Sequence, residues 1–168
     1  IVLTYEGGKM VKAVTRGNGE VGEVITANAR AFSNLPVSIP FKERLVLRGE
    51  AVISYPDFEK INETITDEGA KYKNPRNLCS GSVRQLNSAV TAERHVRFYA
   101  FALVSAEGME FAKRTEQFEW LAAQGFAVVQ HRMVTASNLE VTVRRFADEI
   151  LDNINPSDGL VLSFDDIA

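Results

Sequence analysis

Residues 1–5 and 10–14 are apolar and β-branched on either side of Gly7-Gly8, the pattern of two paired strands closed by a tight glycine turn. An apolar residue opening a paired strand, with no initiating Met before it, leads to the expectation that further sequence precedes Ile1. Gly17, Gly19 and Gly22 predict a flexible polar loop, residues 25–32 a short helix, and Pro36 with Pro40 a turn-rich connection. Period-two alternation over residues 45–54 predicts a strand with Val46, Arg48 and Glu50 on one face and Leu45 and Leu47 on the other. Arg48 and Glu50 therefore project together. Pro56 at a first helical position, with Phe58, Ile61 and Ile65 at helical spacing, predicts a short helix reaching about residue 66.

Residues 96–104 form an aromatic and apolar run that predicts a strong strand, and residues 115–124 an amphipathic helix through Phe118, Leu121 and Ala122 that Gly125 stops. Residues 126–134 predict another strand. Ser137 and Glu140 have the spacing of a capping box, ahead of a helix whose apolar stripe is Leu139, Val143, Phe146 and Ile150. Asn155-Pro156-Ser157 ends that helix before a last strand over residues 160–164. Strands and helices mix without regular βαβ alternation, so the fold class is α+β with a mostly antiparallel sheet.

Composition narrows this. A chain of 168 residues with 45% hydrophobic content can bury one ordinary core, so a single domain spanning 1–168 is expected. No apolar run approaches the roughly 20 residues of a membrane span and no charged-then-apolar leader is visible, which predicts a soluble protein without a membrane partner. The lone Cys79 can form neither an internal disulfide nor a multi-cysteine zinc site, so no zinc is expected, and a reducing cytoplasm is the expected location. His95 and His131 lack partners at metal-ligand spacing and read as ordinary strand residues, so no metal ligands are assigned. The net charge of -3 argues against binding a polyanion by bulk electrostatics; any DNA contact must be local or supplied elsewhere.

The chemistry concentrates in Asn74-Pro75-Arg76-Asn77-Leu78-Cys79-Ser80-Gly81-Ser82-Val83-Arg84-Gln85-Leu86. Pro75 fixes its own φ and biases Asn74 toward an extended conformation, so a helix begins here. Free N–H groups at that helix start and the planar donor fork of Arg76 suit a phosphate or a carboxylate. Arg84 follows two turns on. At helical spacing Asn77, Ser80, Gly81 and Arg84 share a side, while Leu78, Val83 and Leu86 can be buried. Spacing alone equally allows a surface helix with two solvated arginines.

This run resembles a segment of the bacterial NAD-dependent DNA ligases, within their adenylation domain, and four further segments follow that family's order. Thr15-Arg16-Gly17-Asn18-Gly19 with Gly22-Glu23 and Thr26 is similar to a glycine-rich pattern in which Asn18 and Val24 here replace two aspartates. Arg44 through Glu50 resembles the family's Arg-Gly-Glu strand, followed by Phe58-Glu59-Lys60-Ile61-Asn62. Phe98-Tyr99-Ala100-Phe101 stands where the family has an aromatic strand ending in Tyr, and Asp158-Gly159-Leu160-Val161-Leu162 resembles an Asp-Gly-Val-Val-Ile strand. The resemblance implies the nucleotidyltransferase fold, with antiparallel sheets flanked by helices around a nucleotide cleft.

It also implies a chemistry. In the family, a lysine in a Lys-x-Asp-Gly motif attacks the α-phosphorus of NAD, releases nicotinamide mononucleotide and holds AMP as a phosphoramidate. The AMP passes to a 5′-phosphate at a nick in duplex DNA, and the 3′-hydroxyl displaces it, with Mg²⁺ as the implied divalent cation and replication and repair as the setting. None of Lys9, Lys12, Lys42, Lys60, Lys71, Lys73 and Lys113 is followed by x-Asp-Gly. The resemblance places that motif directly upstream of Ile1, and places an OB-fold, zinc finger, helix-hairpin-helix and BRCT modules beyond Ala168. The segment is expected to be a domain truncated at both ends, inactive alone.

Carried over residue by residue, Arg16 matches an NAD-contacting arginine and Glu50 the glutamate near the AMP ribose, while Arg76 and Arg84 match arginines near the phosphates and the nick. Asp158 matches the acidic residue that opens the late motif. Phe101 replaces the Tyr that stacks on adenine, keeping the π face and losing a hydroxyl. Ser163 replaces a lysine and cannot supply its charge. Three readings stay open: a divergent NAD-dependent DNA ligase segment, a non-catalytic nucleotide-binding or protein-interaction module on the same scaffold, and, last, an ATP-dependent relative, in which the Arg76 helix pattern is not expected.

Overall fold

The glycine pair does what the pattern asks of it. In the computed structural model, which describes residues 1–17 and 20–167, β1 (Val2–Glu6) and β2 (Lys9–Val14) pair antiparallel. Gly7 and Gly8 turn the chain between them at φ 60° and 81°, values that cost a side-chain-bearing residue energy. Asn18, Gly19 and Ala168 lie outside the described residues, so the replacement at Asn18 has no structural account.

β3 (Leu45–Val52) pairs antiparallel with β1 on one side and with β4 (Arg97–Ala106) on the other, giving the order β2-β1-β3-β4. The alternation read in β3 is realised: Leu45, Leu47 and Gly49 are buried, while Arg48 and Glu50 are exposed. Two irregularities in the β3–β4 register, at Val46/Leu47 and Arg48/Gly49, leave Val104 and Phe101 as the extra residues on β4. Leu3, Tyr5, Leu45, Leu47, Phe98 and Leu121 make the centre of the core.

The described helices are α1 (Thr26–Arg30), α2 (Tyr55–Glu63), α3 (Pro75–Ser82), α4 (Ser88–Glu93), α5 (Arg114–Ala123) and α6 (Leu139–Leu151), with a 3-10 turn at Glu68–Ala70; α1 packs on β2, α3 on β3 and α5 on β4, while α6 buries no residue. Ser54 caps α2, its Oγ accepting from the Asp57 N–H at 3.3 Å, and Pro56 sits in the first turn as expected. α4 was not foreseen from periodicity; its signal is the N-cap Asn87, whose Oδ1 accepts from the Ala89 N–H at 3.0 Å. No helix among the described residues is long and apolar enough to cross a membrane.

Leu86, expected with Leu78 and Val83 on a buried side, is fully exposed, and His95 and His131, read as strand residues, lie in a turn and an irregular segment; four further expectations need correction. Residues 126–134 make only one parallel bridge, Val128 to Ala100, in which Ala100 N–H donates to Ala127 O and Val129 N–H to Ala100 O. Residues 160–164 are not a strand; Val161 and Phe164 are 91% and 90% exposed. The bridge at Ala100 occupies the middle of the outer edge of β4. The capping box is not made either: Asn138 is the N-cap of α6, its Oδ1 accepting from Thr135 N–H at 2.7 Å, and Glu140 pairs with Arg144 instead. Finally, the described strands form one sheet rather than several. Antiparallel sheet with flanking helices is nonetheless the observed α+β architecture.

Candidate functional site

β3 delivers Glu50 to the surface because Gly49 beside it must face inward. A Cβ on Gly49 would overlap the Phe98 ring and the Tyr99 carbonyl oxygen. With glycine held under Phe98, pleating turns Arg48 and Glu50 outward on either side. They do not pair with each other: the Arg48 guanidinium lies 5.9 Å from the Phe101 ring centroid. Phe101, expected as an aromatic face for a base, is the bulged residue of β4 and is 38% exposed.

α3 starts where Asn74-Pro75 predicts. Asn74 is extended, its Oδ1 accepts from the Asn77 N–H at 2.9 Å, and Pro75 occupies the first turn. Pro75, Leu78, Cys79 and Ser82 are buried, and the Cys79 thiol donates to Ala51 O at 3.2 Å, which seats α3 beside the Glu50 end of β3. Burial, then the nearby Glu50 charge, pushes the Cys79 thiol up to about 12. Arg76 is left exposed on the first turn and pairs with Asp158. Its guanidinium is held above its ordinary value by the Asp158 hydrogen bond and charge, with a smaller contribution from Glu50.

The loop after β2 reaches the same region. Arg16 is exposed, and Thr15 anchors its base: Thr15 N–H donates to Glu23 O at 2.9 Å, while Glu23 N–H donates to Thr15 Oγ1 at 2.9 Å. Arg84, beyond the end of α3, pairs with the Glu23 carboxylate at 3.3 Å and is thereby tied to the Arg16 loop. The backbone nitrogen of Ile1 donates to Gly49 O at 3.0 Å, and the charges of Glu50, Arg48 and Arg16 lie near it. Arg16, Arg48 and Glu50 therefore lie around one point.

The structure brings together Glu50, Arg76 and Asp158, with Arg16, Arg48 and Phe101 around them and Arg84 on the loop side. Ser163 lies outside this group, on the exposed stretch beyond Asp158, and among the described residues no hydrogen bond or ion pair joins it to them. Two residues not singled out from sequence belong with the group. Tyr99 is the register partner of Glu50, and its hydroxyl accepts from Asn155 Nδ2 at 3.2 Å. The one local signal was the Asn155-Pro156 step, which favours an extended Asn155; the β3–β4 register has none.

A carboxylate acceptor, guanidinium donors and an aromatic face within one exposed region match, in order, sugar hydroxyls, phosphate oxygens and a planar base. Among the described residues no group of three or more His, Cys, Asp or Glu is assembled. The His131 ring lies tilted against Phe118, with centroids 4.8 Å apart, and its Nδ1 is 2.9 Å from Val129 O, while His95 adopts a left-handed backbone at φ 54°.

The whole chain, residues 1–168, matches the family described as NAD-dependent DNA ligase adenylation domain. It is 60% identical over 169 residues to a DNA ligase of Lachnoclostridium phytofermentans and 61% identical over 169 residues to one of Ruminiclostridium cellulolyticum, covering 100% of this chain in both. A DNA ligase of Campylobacter lari is 38% identical over 170 residues, covering 98% of the chain. The chain spans 26% of the length of each of these relatives.

Proposed function

Because this chain belongs to the family of NAD-dependent DNA ligase adenylation domains, we propose that the region around Glu50, Arg76 and Asp158 holds the adenylate half of NAD in a parent enzyme that seals nicks in duplex DNA. The observation that carries this reading is the convergence of three segments, 50, 76 and 158, on one exposed patch whose donor set suits a nucleotide. In it Glu50 accepts from ribose hydroxyls and Phe101 lies against adenine. Arg16 and Arg76 take phosphate oxygens, where oriented cationic donors stabilise the charge that develops as the nucleotide is transferred. Arg84 faces the nick. The surrounding architecture is assigned to the nucleotidyltransferase fold.

The nucleophile belongs elsewhere in the parent. No lysine here stands in Lys-x-Asp-Gly, and the relatives are about four times as long. The assignment therefore makes residues 1–168 one adenylation domain without its lysine strand, with the DNA-gripping modules outside it. The net charge of -3 agrees with that division of labour. Mg²⁺, which the family implies, finds no cluster of three ligands among the described residues. A cytoplasmic setting, in replication and repair, goes with the reading.

Incubating the parent protein with NAD labelled in its adenylate moiety tests this. The expected result is a covalent label that Glu50→Ala and Arg76→Ala reduce by tenfold or more, a threshold of order 1.4 kcal/mol in transition-state stabilisation. Absence of label on the unaltered parent would overturn the reading. A second reading, a non-catalytic nucleotide-binding or interaction module, draws on Val24 and Ser163, exposed residues standing where the family has Asp and Lys. AMP binding without labelling would favour it.

A further inference from the structure

We infer that Asn155 is a positioning residue: by holding the Tyr99 hydroxyl it sets Asp158 against Arg76 and so aims the Arg76 guanidinium at the adenylate phosphate. The last step rests on the function proposed above; the first is independent of it. Residues 153–158 are strapped across the site by contacts to three different elements, and Asn153 Nδ2 also donates to Gln130 Oε1 at 3.3 Å. Tyr55 N–H, at the start of α2, donates to Ile154 O at 2.8 Å. Asn155 Nδ2 donates to the Tyr99 hydroxyl on β4 at 3.2 Å, and Asp158 meets Arg76 on α3. Past Asp158 the chain is exposed from Gly159 to Phe164.

Magnitudes decide which contact sets the geometry. The side chains of Arg76 and Asp158 are 71% and 78% exposed, and an ion pair that open contributes about 0–1 kcal/mol. Ordering even one residue of backbone costs about 1–2 kcal/mol, so the pair does not hold residues 156–158 in place by itself. Asn155 is partly buried, as is its hydrogen bond, which contributes about 1 kcal/mol and acts together with the adjacent Tyr55–Ile154 backbone bond, so the segment is held at two points ahead of Asp158. Pro156 lowers the remaining freedom and biases Asn155 toward an extended conformation. Tyr99 faces Glu50 across the β3–β4 register, so the anchor also ties the carboxylate of Asp158 to the strand pair that carries Glu50. Asp158 engages Arg76 through Nη2, leaving the Nε and Nη1 donors for an anion.

The test uses the full-length parent protein carrying Asn155→Ala, Tyr99→Phe, Asp158→Asn and the double variant Asn155→Ala/Asp158→Asn. The rate at which phenylglyoxal modifies Arg76, followed by peptide mass mapping, reads the pairing without any nucleotide. Each single variant is expected to speed that rate about threefold to tenfold, the range of one lost hydrogen bond. The double variant should be no faster than Asp158→Asn alone. AMP affinity by calorimetry should fall by a similar factor in Asn155→Ala and no further in the double variant, with thermal midpoints tracking neither change. Tyr99→Phe removes the same hydrogen bond without a cavity and covers the case in which Asn155→Ala folds poorly. An Arg76 rate unchanged by Asn155→Ala and Tyr99→Phe, or effects that multiply in the double variant, would overturn the inference. Failure of AMP to bind the unaltered parent would overturn the adenylate reading, while the arginine rates still judge Asn155.

Discussion

Gly49 on β3 and Phe98 on β4 are in contact so close that no side chain fits at position 49. The relationship explains the order Arg48-Gly49-Glu50 in physical terms: the middle residue is a spacer under an aromatic ring, and the flanking charges face outward because it faces inward. Gly49→Ala is expected to destabilise the fold by about 1–3 kcal/mol, the usual cost of overpacking, since Phe98 is buried and the Tyr99 carbonyl is held in the sheet. Denaturant unfolding of the two proteins side by side measures it, and an unchanged midpoint would show that the ring yields.

Cys79 gives a pH signature. Burial and then Glu50 raise its thiol from an ordinary value of 9.0 to about 12, so the folded chain holds that proton more tightly than the unfolded one. The corresponding stability is whole below pH about 9 and is lost as pH climbs toward 12, by about 1.4 kcal/mol per unit. Buried Tyr5, whose hydroxyl is also raised, loses stability in the same direction, so Cys79→Ala should flatten the alkaline slope without abolishing it. At pH 8 the folded thiol should resist iodoacetamide and react only once urea unfolds the chain; rapid labelling of the native protein would contradict the burial.

Local patterns were readable where one residue's chemistry dictates its backbone. Gly7-Gly8 made its hairpin, Asn74-Pro75 opened its helix, and the alternation through Leu45, Leu47 and Glu50 fell on the expected faces. Long-range pairing was not readable in the same way. Residues 126–134 and 160–164 have strand composition, yet a strand exists only where a partner edge is available, and β4 offers them a single bridge at Ala100. The same limit explains the site. Arg76 was found from its place at the helix start and Asp158 from family resemblance, each by itself, whereas the Asn155–Tyr99 contact depends on register and chain path. α4 was missed because its apolar residues lack helical periodicity, although Asn87 marked its start.

Phe101 separates a stacking role from a packing one. It is a bulged residue, 38% exposed, with Arg48 near its ring and no place in the fully buried core. Phe101→Tyr should therefore retain AMP affinity in the parent protein. Phe101→Ala should lose about 1–3 kcal/mol of it, the range for a base on an aromatic face. Calorimetric titration reads both; equal affinity in all three proteins would remove Phe101 from the nucleotide site.

Arg84 allows the roles of the two helix arginines to be told apart. Its partner is Glu23 at 3.3 Å, on the loop that carries Arg16, and both side chains are about half exposed or more, so the pair contributes little to stability. An arginine so lightly held is available to a DNA phosphate, and each phosphate neutralised releases condensed counterions. Arg84→Ala in the parent should weaken nicked-duplex binding and reduce the slope of log K against log salt by about one, with AMP affinity unaltered. Glu23→Gln should act oppositely, modestly tightening DNA by freeing the guanidinium. Fluorescence anisotropy across a salt series measures the slope. A slope identical to that of the unaltered protein, together with weakened AMP binding, would move Arg84 from the DNA to the nucleotide.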